Sequence, residues 1–238
     1  VRHKISSALK TVLTAVVVSA AVSVVVLGAF ALFAPSSSTS ATSKEVGTRR
    51  GVKVTKLDVP SNRLVTIFGA ISGNGIQIAQ QITALDNGKD KTYILTTSPG
   101  GSVLTGAAIL SAIEASDSPV VTICSVMCAS MAALIHQFGD ERYMVNRSML
   151  MFHQAHGGME GDLERMRRQL EFIMQFVKRI EEQIARRMGI SVEEYKKRSD
   201  NELYVESEEA VKQRLADKLV VVNVKRPKNL FGGNSSEE

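Results

Sequence analysis

Residues 92–115 read TYILTTSPGGSVLTGAAILSAIEA. The stretch opens on six residues rich in β-branched and aromatic side chains, the signature of a buried strand. Ser98-Pro99-Gly100-Gly101 then stops it, because Pro and paired Gly suit a sharp turn and not a ladder. Residues 103–115 carry their apolar positions at helical spacing. Strand, glycine turn and helix form one unit, and the pattern repeats outward. Residues 64–68 (LVTIF) read as a strand ending at Gly69, and residues 76–85 as a helix stopped by Asn87-Gly88. Residues 120–123 read as a strand followed by a helix from about Ala129, and residues 149–152 as a fourth strand. A short helix at 208–215 and a last strand at 219–224 close the series. Such alternation predicts parallel strands joined by helical crossovers, an α/β domain.

One helix is longer than the rest. Leu163, Met166, Leu170, Ile173, Val177, Ile180 and Ile184 recur at alternating steps of three and four, between a candidate N-cap at Asp162 and a stop at Gly189. Its other face is dense in Arg, Lys and Glu. A stripe this narrow serves either self-packing or a helix–helix contact with a second chain.

The ends are different in kind. Residues 12–34 (VLTAVVVSAAVSVVVLGAFALFA) are almost wholly apolar and match the roughly 20 residues that cross a bilayer core. Their length favours an uncleaved anchor over a signal peptide, although Ala29-Phe30-Ala31 resembles a cleavage site. Arg2, Lys4 and Lys10 precede the run, which orients the rest away from the cytoplasm, as for a single-pass protein of a bacterial inner membrane. Residues 35–51, beginning PSSSTSATS, read as a flexible linker. The expected organisation is therefore anchor at 1–34, linker at 35–51, catalytic domain at 52–225 and a disordered tail at 226–238.

Composition narrows the function. The net charge of +5 is spread among acidic residues, and there is no Trp, so a nucleic-acid platform is not expected. Cys124 and Cys128 are the two cysteines, and no His or Cys stands at zinc-like spacing from them, so both read as small buried residues. Nothing implies a metal or an organic cofactor.

Three features can carry chemistry. The Pro99-Gly100-Gly101 turn can present backbone N–H groups to an oxyanion, or can be a plain turn. Ser130 lies between a strand and a helix in Cys128-Ala129-Ser130-Met131. It can be a nucleophile with helix amides beside it, or an ordinary N-cap. His153 ends the apolar run 149–152, with His156 three residues on in a glycine-rich loop. A serine nucleophile needs a base, and imidazole is the best matched one.

Taken together, Ser98-Pro99-Gly100-Gly101-Ser102, then Thr122-Ile123-Cys124 with Ala129-Ser130-Met131, then His153-Gln154 and Gly157-Gly158, resemble the Clp protease proteolytic subunit family, ClpP. The order and spacing match over roughly residues 63–222. Glu209-Ala210-Val211 and Leu215-Ala216-Asp217 resemble the family's closing segment. The resemblance implies a ClpP/crotonase-type fold of repeated β-turn-α units with a long protruding helix, here preceded by one transmembrane helix. It implies a serine endopeptidase with Ser130 as nucleophile, His153 as general base, and the amides of Gly101 and Met131 as oxyanion hole. Ser102, Val103, Ala155, His156, Gly157 and Gly158 then flank a peptide or unfolded-protein substrate. The family's aspartate falls on Glu202, with Asp200 as the alternative. The long helix becomes a contact between copies, in a homo-oligomer and possible ring. An ATP-dependent unfoldase is the customary partner, but no ATP-binding motif occurs in this chain. Val126, Ala155, Asn201 and Arg214 depart from the family pattern and bear on ring assembly and groove shape. Two alternatives stay open: a signal-peptide-peptidase-like membrane protease, and a catalytically weakened assembly module.

Overall fold

The computed structural model describes residues 45–49, 51–155 and 161–226. Among these residues nine strands form one sheet: β1 (Glu45–Arg49), β2 (Val52–Pro60), β3 (Leu64–Phe68), β4 (Thr92–Ser98), β5 (Val120–Ala129), β6 (Glu141–Val145), β7 (Met149–Phe152), β8 (Leu203–Glu206) and β9 (Lys218–Lys225). Six α-helices accompany them among the described residues: α1 (Gly75–Leu85), α2 (Val103–Glu114), α3 (Met131–Phe138), α4 (Leu163–Met188), α5 (Val192–Ser199) and α6 (Ser207–Lys212). The main path runs β1-β2-β9-β6-β5-β4-β3. Its pairings are parallel except β1 with β2. The expected α/β architecture with helical crossovers is present. β1 forms within the stretch read as linker, where EVGTR gives little strand signal of its own and pairs with β2 across a tight Gly51 turn.

β5 decides where the site falls. The sequence suggested a strand ending at Ile123, yet it runs on to Ala129. The reason is a change of partner. Val121–Cys124 pair with β6, while Met127, Cys128 and Ala129 pair with β7. Toward β4 the register shifts, two residues of β4 spanning four of β5 between Thr96/Cys124 and Ser98/Cys128. The two thiols sit at this fork, Cys124 Sγ donating to Met149 O at 3.5 Å and Cys128 Sγ to Thr96 O at 3.6 Å. Both are fully buried and unbridged, and burial pushes the Cys128 thiol pKa up.

The larger core packs the helices on one sheet face through Ile67, Ile94, Ile109, Ile135, Leu150 and Phe152. A smaller cluster of Val59, Leu95, Val121, Ile123, Tyr143 and Val220 occupies the other. β4 is buried along nearly its whole length, as a central parallel strand is.

α4 confirms its caps. The Asp162 side chain accepts from the Arg165 N–H at 2.9 Å. Gly189 is left-handed at φ 71°, and the Ile190 N–H closes on Ala185 O at 3.1 Å. At 26 residues α4 is about 39 Å long. Its stripe divides. Ile180 and Ile184 are buried, whereas Leu163 and Leu170 are exposed, as are Phe172 and Met174 beside the stripe. Self-packing therefore takes only the C-terminal half. Among the described residues no helix is long and apolar enough to cross a membrane. The candidate span at 12–34 lies outside them.

Candidate active site

β5 ends at Ala129 and α3 begins at Met131, so Ser130 alone makes the turn between them. It does so at φ 53°, ψ −126°, a conformation that costs a non-glycine residue on the order of 1–3 kcal/mol. The surroundings over-determine it. The Ser130 N–H donates to Met151 O at 2.8 Å, and Ser130 O accepts from the Leu134 N–H at 3.1 Å. The side chain makes no capping hydrogen bond. The ordinary N-cap reading of Ser130 therefore does not describe how it is used. Its hydroxyl is carried on a strained elbow at the head of a helix. Met131, the first helical residue, contributes one of the N–H groups that a helix leaves without an internal partner.

The glycine turn is pressed against this elbow. A Cβ on Gly100, at φ 96°, would lie 2.6 Å from Ala129 O and 2.7 Å from Ser130 Cβ. One on Gly101, at φ 152°, would lie 2.0 Å from Ile71 O. Only glycine permits both approaches. The turn is pinned by the Ser98 hydroxyl, which accepts from the Gly100 N–H at 3.0 Å. Gly100 O accepts from the Ile71 N–H, and Ile71 O from the Ser102 N–H, both at 2.8 Å. Ser102 then caps α2, its hydroxyl accepting from the Thr105 N–H at 3.3 Å.

His153 leaves the end of β7, which pairs antiparallel with β8 in the register Phe152↔Leu203. His153 and Glu202 each lie one residue beyond that last pair. Glu202 breaks the extended run at φ 57°, is exposed, and accepts from the Tyr204 hydroxyl at 2.8 Å. That hydrogen bond raises the Tyr204 pKa. Asp200, also exposed, caps the end of α5 and accepts from the Gln154 amide.

A cleft of about 320 Å³ brings together Ser130, His153, Gly101, Met131, Val103 and Ala155. Ser102, Glu202 and Asp200 are not among the residues lining it. His156, Gly157 and Gly158 lie outside the described residues. Sequence reasoning missed the part of the wall that α4 and α5 supply. Phe176, Val177, Ile180 and Glu181 come from α4, and Tyr195 from α5. The available signal was the α4 stripe, which holds Val177 and Ile180, but periodicity does not tell which neighbour a stripe faces.

The Clp protease family model matches residues 49–223. The match takes in every lining residue of the cleft and leaves out residues 1–48. The mixed sheet, with β5 forking between two partners, is consistent with the fold of that family.

Proposed function

The chain belongs to the Clp protease family, and from that premise we propose that it is a membrane-tethered serine endopeptidase working through an acyl-enzyme. The observation that carries the reading is the strained Ser130 elbow, which shares one cleft with His153. In this reading Ser130 Oγ bonds to the carbonyl carbon while His153 takes the hydroxyl proton. The amides of Gly101 and Met131 receive the oxyanion. The C–N bond then breaks, and His153 passes its proton to the leaving amine. Water attacks the acyl-enzyme with His153 again as base, releasing the acid and restoring Ser130. Glu202 orients His153, a role supported by the β7–β8 register, with Asp200 as the alternative. Ser102, Val103 and residues 155–158 flank an extended peptide or unfolded chain, which pairs as an added strand.

Residues 12–34 anchor the chain, and the basic residues before them set the catalytic domain on the non-cytoplasmic side. The exposed half of α4 joins copies into a homo-oligomer. A domain so placed has no ATP at hand, so its substrates are small or already unfolded.

One observation favours a second reading, a catalytically weakened assembly module. Both candidate acids are exposed, Glu202 accepting from Tyr204 and Asp200 from Gln154. Fluorophosphonate labelling of membranes separates the two. Peptidase activity predicts labelling of wild type and none of Ser130→Ala. A wild-type oligomer that refuses the probe leaves only the weakened module. Protease protection in the same membranes reports which side the domain faces.

A further inference from the structure

The wall of the cleft contributed by α4 and α5 has a particular make-up. Phe176, Val177, Ile180 and Tyr195 are apolar or largely so, and Glu181 is the one carboxylate among the described lining residues. The Glu181 side chain is only 12% exposed, and its cation, Lys196 Nζ, stands at 3.4 Å with its side chain 46% exposed. This asymmetry matters. Glu181 is held out of water by its neighbours, whereas Lys196 reaches in from solvent and can return to it.

A carboxylate in that position must stay paired or hydrogen-bonded when a ligand expels the remaining water. An apolar side chain filling the cleft satisfies Phe176 and Val177 and offers nothing to Glu181. A lysine or arginine side chain satisfies both, laying its methylene stem on the apolar wall and its charged head on the carboxylate. At about 320 Å³ the space suits one long side chain and not a folded segment. Ser130 and Met131 border the same space. The side chain on the acyl side of the scissile bond leaves the carbon next to the attacked carbonyl, so it is the one placed to enter.

We infer that Glu181 makes this cleft a subsite for a basic side chain, lysine or arginine, on the acyl side of the cleaved bond. The inference rests on the peptidase reading above, and it specifies the substrate class of that same site. In forming the complex the substrate cation displaces Lys196 as the partner of Glu181.

The test uses full-length protein in detergent and a set of fluorogenic peptides that differ only at the acyl-side residue: Arg, Lys, Leu, Phe and Glu. Wild type is expected to rank Arg and Lys first by kcat/KM. Glu181→Gln is expected to lower the Arg-to-Leu ratio by about 10- to 100-fold, the span of one charge-assisted contact. Lys196→Ala, an exposed substitution that removes the competing cation, is expected to raise that ratio. Fluorophosphonate labelling of each variant reports whether the catalytic pair survives. A wild type that labels and cleaves but ranks Leu or Phe first overturns the selectivity and leaves the peptidase reading standing. So does a Lys196→Ala ratio that stays level or falls, which decides the matter even if Glu181→Gln does not fold. A wild type that neither labels nor cleaves any peptide removes both.

Discussion

Among the described residues four non-glycines hold positive φ: Ser130, Arg147, Glu202 and Arg214. At Ser130 the strain goes with a hydroxyl that makes no capping hydrogen bond to the helix it precedes. At Arg214, φ 62°, the backbone does ordinary work. Its N–H donates to Val211 O at 3.2 Å and its carbonyl accepts from Arg142 Nη1 at 3.0 Å, while the residue is exposed. Glycine keeps both bonds and removes the left-handed penalty of about 1–2 kcal/mol. It also gives the unfolded chain more freedom, which offsets part of the gain. Arg214→Gly is expected to stabilise the protein by roughly 0.5–1 kcal/mol, a rise of a few degrees in Tm. A lower midpoint would mean that the side chain, not the backbone, sets this position. Neither this strain nor that of Ser130 is visible in composition. Small residues around a serine fit a cap and an elbow equally well, and only φ distinguishes them.

Among the elements, the glycine turn between β4 and α2 and the elbow between β5 and α3 act as one piece. A Cβ on Gly100 would meet backbone atoms, Ala129 O and, at 2.9 Å, the Met131 N, as well as Ser130 Cβ. Backbone in a pinned turn cannot yield as the end of a flexible side chain can. Gly100→Ala is therefore expected to cost about 2–4 kcal/mol and to abolish fluorophosphonate labelling, since relief must come from moving Ser130. Gly69→Ala is a useful control, because a Cβ there meets nothing within 4 Å although φ is 76°. It keeps the backbone strain without the clash and should retain labelling. A Gly100→Ala protein that labels like wild type would uncouple the two turns. The sequence made this coupling legible only in part. β3, α1, α2, β4, β7 and α4 all follow from periodicity and punctuation, to within a residue or two at each end. β5 does not, because Ser125 interrupts its apolar run just where it changes partner from β6 to β7. β6, β8 and α5 are short and carry charges, as in VEEYKKRS, so their burial comes from long-range packing such as that of Tyr195 on Phe152. The outer wall of the cleft depends on that packing, which is why Glu181 was not readable beforehand.

At the scale of the whole molecule, the region behind α3 links the site to the stability of the fold. Arg142 donates from Nη2 to Asp217 Oδ1 at 2.5 Å, and its backbone N–H to Asp217 Oδ2 at 2.7 Å. Gln137 Nε2 donates to Leu215 O at 2.9 Å. These bonds tie the end of α3 and β6 to the closing segment before β9. His136 lies in the same place, fully buried, and neither ring nitrogen has a partner among the described residues. Burial first, then the positive charges of Arg142 and Arg187, lower its pKa to about 3, with Asp217 opposing. In the unfolded chain the imidazole titrates near pH 6.5. Above that pH both states hold a neutral ring and the group adds no pH dependence. Between 6.5 and 3 the unfolded chain binds a proton that the native state refuses, so stability falls as pH falls. The slope approaches about 1.4 kcal/mol per pH unit, and the loss reaches roughly 4–5 kcal/mol by pH 3. Between pH 7.5 and pH 5 the expected loss is about 2 kcal/mol, readable as a drop in thermal midpoint. His136→Leu removes the titrating ring and two unpaired buried nitrogens while keeping similar bulk. It is expected to be at least as stable as wild type at pH 7.5 and to lose this part of the acid dependence. Carboxylates with lowered pKa, such as Asp86 held to about 2 by hydrogen bonds led by Ser118, titrate below that window and remain in both proteins. If wild type and His136→Leu show parallel midpoints from pH 7.5 to 5, the ring is protonated in the native state and the packing behind α3 admits the charge.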